Sequence, residues 1–263
     1  MRAGRGFRSF SRQRLRTASY KEAVISIATP HTETVNIWSH LLGTAWFGYS
    51  AVRFAVTCTG PLTQDTVVIL VYLVATALCF ACSTLYHLFA DHVWESSWLR
   101  LDHFGIVCAI WASSISFILF SFDCRQGERR AYAACITLAA ILSLVRLSGI
   151  RPYHLTSRRS RIGTHMLLGG LAVLPGLRHW HLHASDRHAG LLTNFWGLVI
   201  MNSIGGGIYA THLLDKAMGM DLGLPDMSHH VMHVMVVAGA WIYERGLLSA
   251  YQTRAAGVLG PCI

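Results

Sequence analysis

Six polar side chains flank or interrupt apolar stretches of this sequence, and their types are those of a catalytic metal site. They are Ser83, His87, Asp102, His229, His230 and His233. Ionisable groups inside apolar segments are costly and usually serve a function. Three neutral imidazoles leave the fourth position of a zinc ion open for water, which is typical of catalytic zinc. Zinc lowers the pKa of bound water toward ~7, and a nearby carboxylate can take up the proton.

Helical spacing decides which of these side chains can share one ion. His229 and His233 are four residues apart, so they lie on one helix face and can bind the same metal. His230 is rotated by about 100° from His229 and points elsewhere. Ser83 and His87 are also four apart, so Ser83 is predicted to support the His87 ring or the zinc-bound water. The predicted ligands and catalytic residues are, in order, His87, His229, His233, Asp102 and Ser83.

The composition indicates a polytopic membrane protein. Of 263 residues, 53% are hydrophobic and 13% are charged, and the mean hydropathy is +0.42. This is too apolar for one soluble domain of that length. The formal charge of +9 comes from basic residues in the tail and loops. We interpret them as a topology signal that also contacts anionic lipid headgroups, not as a nucleic-acid surface. A mitochondrial presequence is the alternative for the Arg-rich tail.

Seven stretches are long and apolar enough for spans of roughly 20 residues. They run over 37–57, 66–90, 102–122, 131–149, 163–178, 191–214 and 229–250. The fifth is the shortest and contains Pro175, which membrane helices tolerate. Three consecutive glycines at 205–207 are predicted to allow close helix approach. We therefore predict an all-α membrane protein, a seven-transmembrane helix bundle with short loops.

Lys and Arg residues predict the orientation of this bundle. With the N-terminus in the cytoplasm, the inner segments hold 13 basic residues and the outer segments hold 8. The bias favours a cytoplasmic N-terminus and an outside C-terminus. The parity of the spans then places His87, Asp102 and the histidines of span seven on one side at similar depth. The predicted domains are a basic cytoplasmic tail (1–30), a seven-transmembrane domain (31–250) and a short C-terminal tail (251–263).

The remaining cysteines and histidines favour less specific interpretations. Cys79 and Cys82 form a C-x-x-C within an apolar stretch, where we expect small core residues. Three cysteines are predicted on the non-cytoplasmic side, where one disulfide among them is left open: Cys58, Cys124 and Cys262. A second group of histidines is interpreted as a solvated loop, with metal affinity as the alternative: His179, His181, His183 and His188.

The segment before the first span is dense in polar groups. Thr34 or Asn36 is expected to cap the helix that follows. Glu33, Asn36 and His40 are expected to line the cytoplasmic mouth of the bundle.

Five motifs resemble those of the progestin and adipoQ receptor family, in its adiponectin-receptor branch. They are HTETVNIWSHLLG (31–43), STLYH (83–87), LDHFGI (101–106), GGGIYA (205–210) and SHHVMHV (228–234). They occur in the family's order and cover residues 31 to about 245. The resemblance implies seven helices with the N-terminus inside, and a zinc ion near the cytoplasmic side held by His87, His229 and His233. It also implies that Asp102 contacts the zinc-bound water, and that Ser83 belongs to the same site.

The resemblance further implies a cavity for an acyl chain and a ceramidase-like hydrolysis of lipid amides. The expected partners are membrane lipids and a lipid substrate, either ceramide-like or a free fatty acid. The expected location is the plasma membrane or an endomembrane such as the ER or Golgi. The tails are shorter than those of animal adiponectin receptors, which argues against a hormone ligand.

Three hypotheses remain at this point. The first is an enzyme in which zinc-activated water attacks the amide carbonyl of a ceramide-like lipid. The second is a receptor in which the zinc is structural and a ligand shifts the helix bundle. The third is a proton-coupled transporter, which uses the same residue types in a proton relay.

Overall fold

The structure is a computed structural model that describes residues 17–58, 62–148, 158–182, 189–217 and 226–257. Within these residues the regular structure is helical, apart from an isolated bridge between Thr17 and His92. Seven long helices and two short ones follow one another along the described chain. In order they are α1 (Tyr20–Ser26), α2 (Thr34–Thr57), α3 (Gln64–Leu88), α4 (Glu95–Ser121), α5 (Gln126–Ser148), α6 (Arg158–Leu182), α7 (Ala189–Thr211), α8 (Leu213–Ala217) and α9 (Met227–Ala255).

Each of the seven predicted spans overlaps one of the long helices. Helices α3, α4, α5, α7 and α9 are long and apolar enough to cross a membrane. Helices α2 and α6 are 24 and 25 residues long and are not among these five. An all-helical, multi-pass membrane protein is therefore confirmed.

The start of α2 differs from the prediction. Glu33 occupies the N-cap position, and its side chain makes no capping hydrogen bond. The Thr34 hydroxyl instead accepts a hydrogen bond from the backbone N–H of His31 at 2.8 Å. The Asn36 amide donates to the Glu33 carboxylate at 2.9 Å. Neither Thr34 nor Asn36 caps the helix, because both side chains are engaged in this turn.

Helix α6 is longer than the fifth predicted span and changes the interpretation of the second histidine group. It continues through Pro175 to Leu182, so His179 and His181 are helical. His179 is 2% exposed and packs edge-on against Phe117 and Phe122. The prediction of a solvated loop is wrong for His179, because rings at the end of α4 cover it. His183 and His188 lie outside the described residues.

A layer of aromatic side chains fills the middle of the bundle. The rings of Phe117 and Phe195 stack with centroids 4.0 Å apart, which joins α4 to α7. The Tyr72 hydroxyl donates to the carbonyl of Ala240 at 2.8 Å, and its ring meets Tyr243 edge-on at 5.1 Å. Burial of a tyrosine is favourable when its hydroxyl group forms a hydrogen bond, so the contacts of Tyr72 stabilise the packing of α3 against α9.

Charged groups join the helices at the end far from the first turn of α9. Arg254 donates to Asp65 at 3.0 Å and to Asp123 at 3.0 Å. The same region contains Cys124, which is disulfide-bonded. Cys58 is a free thiol, 3.0 Å from the Tyr251 hydroxyl, and Cys262 lies outside the described residues.

Glycines mark where helix backbones meet. A Cβ at Gly105 would lie 2.9 Å from the Cα of Cys79, so α3 and α4 touch backbone to backbone there. The first of the three consecutive glycines also meets another helix, since a Cβ added at Gly205 would lie 3.2 Å from the Cβ of Met235. A Cβ added at Gly206 or Gly207 would have no heavy atom of the described residues within 4 Å. Close approach is thus confirmed for Gly205 alone.

We predict that Gly105→Ala lowers the free energy of unfolding by about 1–3 kcal/mol, because a backbone neighbour cannot rotate away from an added methyl group. Gly206→Ala is the matched control, since it adds the same group to a helix with space around it. Thermal unfolding in detergent, followed by size-exclusion chromatography, measures both. Equal melting temperatures for the two variants would contradict the packing described for α3 and α4.

Candidate metal centre

Two helices bring three histidines together at one end of the bundle. His87 lies in the last turn of α3, and His229 and His233 lie in the first two turns of α9. One ligand nitrogen from each lies within 4.8 Å of the others. The ring centroids are 5.1 Å apart for His87 and His229, and 4.6 Å apart for His87 and His233. The three residues predicted as metal ligands therefore lie close together in the structure.

Carboxylates hold the outer nitrogens of two of these rings. Nδ1 of His87 lies 2.7 Å from Oε2 of Glu33, and Nδ1 of His229 lies 3.0 Å from Oδ2 of Asp226. A metal-binding imidazole characteristically donates its other N–H to a carboxylate, which selects the tautomer and aims the ring. Both histidines therefore have the support that a ligand needs.

The ring nitrogens that face the centre of the cluster are better placed to bind a metal ion than to form hydrogen bonds with one another. Nε2 of His229 and Nε2 of His233 face each other at 3.1 Å. Because Asp226 holds the Nδ1 proton of His229, the Nε2 atom carries a lone pair aimed at the cluster. Nδ1 of His233 is buried without a hydrogen-bond partner among the described residues. Converging lone pairs of neutral imidazoles are the donor set of a divalent transition metal.

Glu33 remains ionised in this setting. Burial alone would raise the pKa of its carboxyl group, but the hydrogen bond and the favourable electrostatic interaction with the His87 ring contribute against burial. With a further hydrogen bond from Asn36, the pKa of Glu33 is lowered to about 2. An ionised carboxylate accepts a stronger hydrogen bond than a neutral one, so the orientation of His87 is maintained at neutral pH.

Asp102 and Ser83 are buried on the helices α4 and α3. Asp102 is 8% exposed, and Ser83 is 3% exposed. The Asp102 carboxyl group interacts electrostatically with both Ser83 and His229. Ser83 was predicted to support the His87 ring or the bound water. Nδ1 of His87 is held by Glu33, and the role of Ser83 at the bound water stays a prediction.

His230 points away from the cluster, as its rotation on the helix predicts. Its Nε2 lies 2.8 Å from the carbonyl oxygen of Thr32. Asn36 and His40 are 1% and 5% exposed, so they do not line an open mouth. The His40 ring instead packs on His233 with centroids 4.0 Å apart. These side chains form the wall behind the histidines.

Sequence reasoning missed two further polar contacts within the apolar spans. Glu244 of α9 is 3% exposed and accepts a 2.7 Å hydrogen bond from the Trp46 indole of α2. Nδ1 of His103 lies 2.7 Å from Nε2 of His165, joining α4 to α6. A carboxylate at position 244, inside the predicted span 229–250, was the available signal for the first contact.

Comparisons with known proteins agree with this architecture. Residues 28–243 match the family model described as haemolysin-III related. The chain is 25% identical to an adiponectin receptor protein of Drosophila melanogaster over 87% of this chain, spanning 53% of that protein. It is 26% identical to progestin and adipoQ receptor family member 3 of Mus musculus, over 95% of this chain and 81% of the relative. It is 24% identical to heptahelical transmembrane protein 3 of Arabidopsis thaliana, over 84% and 77% respectively.

We predict that Glu33→Ala weakens divalent-metal affinity by about 10–100-fold, because the His87 ring loses the carboxylate that orients it. Glu33→Gln keeps a hydrogen-bond acceptor and is expected to lose less. The control is Glu22→Ala, which removes an exposed carboxylate from α1. Competition between purified protein and a chromogenic chelator for cobalt measures the affinity. The role of Glu33 is refuted if its alanine variant binds cobalt as tightly as the Glu22 variant.

Proposed function

The chain belongs to the haemolysin-III related family of multi-pass membrane proteins, and we propose that it is a zinc-dependent hydrolase of lipid amides. The observation that carries the proposal is the convergence of ligand nitrogens of His87, His229 and His233 within 4.8 Å of one another. The buried Asp102 interacts electrostatically with His229. The donor set of three imidazoles supports zinc over harder cations, which prefer oxygen ligands.

Each side chain has a defined task in this proposal. Zinc bound by neutral imidazoles supplies Lewis acidity, which polarises a carbonyl and makes water nucleophilic near neutral pH. Asp102 receives the proton of the attacking water at its carboxylate and returns it to the leaving amine. Ser83 orients the Asp102 carboxyl group, with which it interacts electrostatically. Glu33 and Asp226 keep the His87 and His229 rings aimed.

The position of the site supports a lipid substrate. The histidines lie in the last turn of α3 and the first turns of α9, which are both apolar enough to span a membrane. A scissile group near the headgroup of a lipid reaches this depth while its acyl chain stays among the helices. The choice of an amide, as in a ceramide-like lipid that releases a free fatty acid, rests on the resemblance to the adiponectin-receptor branch.

The names of the relatives support a second candidate function. The Drosophila and mouse proteins are called receptors, and those names state no hydrolysis. In that case zinc would stabilise the contact between α3 and α9, and Asp102 would have no chemical task. The two functions therefore differ in what they require of Asp102.

We predict that Asp102→Asn retains about one zinc per chain but lowers ceramide turnover by about 10²–10⁴-fold, because the proton acceptor is lost. His233→Ala is expected to lose both zinc and turnover. Metal content by mass spectrometry and fatty-acid release by the purified protein measure the two properties. Zinc without turnover in the unsubstituted protein would favour the receptor, and absence of zinc there would refute the site.

We also propose seven membrane spans, with the N-terminus in the cytoplasm and the C-terminus outside. Seven long helices occur in the described residues, and the Arabidopsis relative is called heptahelical. The excess of basic residues in the inner segments supports the orientation. The disulfide of Cys124 lies at the end away from the histidines, and disulfides persist in oxidising compartments outside the cytosol.

This topology makes a prediction about terminal epitope tags. For protein at the cell surface, a C-terminal tag is expected to be accessible to antibody in intact cells. In sealed vesicles whose cytoplasmic face points outward, the same tag is expected to be protected in the lumen. In cells, an N-terminal tag is expected to be accessible only after permeabilisation, because seven spans place the termini on opposite sides. Immunofluorescence with and without detergent measures this. Equal accessibility of both tags would require an even number of spans.

A further inference from the structure

A groove of mixed polar and apolar lining lies between α7 and α9, at the end of α9 far from the histidines. Its volume is about 360 Å³, and its lining residues are Gly190 and Asn194 of α7 and Trp241, Ile242, Arg245, Gly246 and Ser249 of α9. At Gly246 the two helices touch, since a Cβ there would lie 2.4 Å from the Cβ of Asn194. At Gly190 no heavy atom of the described residues lies within 4 Å of a Cβ position. Among these residues the groove closes at Gly246 and is wider toward the start of α7.

The groove carries an uncompensated positive charge. Arg245 is exposed, and its guanidinium lies over the Trp241 ring, 5.1 Å from the centroid. It forms no ion pair with any described residue. The neighbouring carboxylate, Glu244, is bonded to Trp46 on α2 and therefore faces another side of α9. Among the described residues that line the groove, none is acidic.

The start of α7 adds to this positive potential. Gly190 is the second residue of α7, so its backbone N–H belongs to the first turn, which has no partner within the helix. The partial positive charge of a helix N-terminus favours anions. Ser249 and Asn194 supply neutral polar groups nearby. A guanidinium and backbone N–H groups around one space match the oxygens of a phosphate group.

The depth of the groove favours a lipid as the source of this phosphate. Eighteen residues separate Met227, at the start of α9, from Arg245, which corresponds to a rise of ~27 Å. The hydrocarbon layer is ~30 Å thick. If the histidine end lies at one boundary of this layer, Arg245 and Trp241 lie at the other, where tryptophan is enriched and headgroups begin.

We propose that the groove between α7 and α9 binds the phosphate of a phospholipid headgroup. Arg245 supplies the paired N–H donors, and the first turn of α7 supplies backbone N–H groups. The lipid chains follow the outer surface of α9 toward the membrane centre. This site is separate from the histidine cluster and does not depend on the zinc-dependent reaction.

Native mass spectrometry of the purified, delipidated full-length chain tests the proposal. The probes are phosphatidylglycerol, phosphatidylcholine and the corresponding diacylglycerol, which lacks phosphate. We expect one tightly retained phospholipid and little retention of diacylglycerol. We expect Arg245→Gln to weaken phospholipid binding by at least about tenfold, since a charge-assisted hydrogen bond contributes that much. Equal binding of diacylglycerol, or full binding by Arg245→Gln, would overturn the proposal.

Matched variants separate recognition from general effects of charge or folding. Arg53→Gln removes an exposed arginine of α2 outside the groove, and its lipid binding is expected to be unchanged. Ser249→Trp fills the groove but keeps the charge, and it is expected to release the phospholipid. If the Ser249 variant retains the lipid, the groove is not the site. Displacement of the phospholipid by millimolar inorganic phosphate would assign the groove to free phosphate and overturn the lipid assignment.

Discussion

The hydrogen bond between Glu33 and His87 is the interaction on which the histidine end of the bundle depends. It joins the turn before α2 to the last turn of α3 across 54 residues of sequence. A buried imidazole needs a partner, and an ionised carboxylate supplies one that also selects its tautomer. Because His87 is held in this way, its ring can meet His229 and His233 on α9. Three helices thereby converge on one small volume.

The two ends of the bundle are stabilised by different physics, and this division matters for function. The histidine end brings neutral imidazoles, a carboxylate and a hydroxyl close together, with rings such as His40 packed behind them. The far end is joined by ion pairs, in which Arg254 bridges Asp65 and Asp123. The aromatic layer between them keeps α3, α4 and α9 in register. The histidine cluster is therefore carried by helices that are also joined to one another at the far end.

Several local signals were overruled by tertiary context. His179 follows a proline and precedes polar residues, yet it is buried because Phe117 and Phe122 cover it. Thr34 has the right type to cap α2, yet its hydroxyl bonds to the preceding turn. Among three adjacent glycines, only Gly205 meets another helix, since successive residues point in directions about 100° apart.

The sequence by itself determined the helical elements. Membrane helices require long apolar stretches, and seven such stretches can be recognised without a structure. It also determined that His229 and His233 share a face, and that span parity brings them to the same side as His87. Only the tertiary structure decided which groups touch across helices. Glu33 pairs with His87, and Glu244 pairs with Trp46. Periodicity sets the depth and the face of a residue along its own helix, but the neighbour that this face meets depends on how the helices pack.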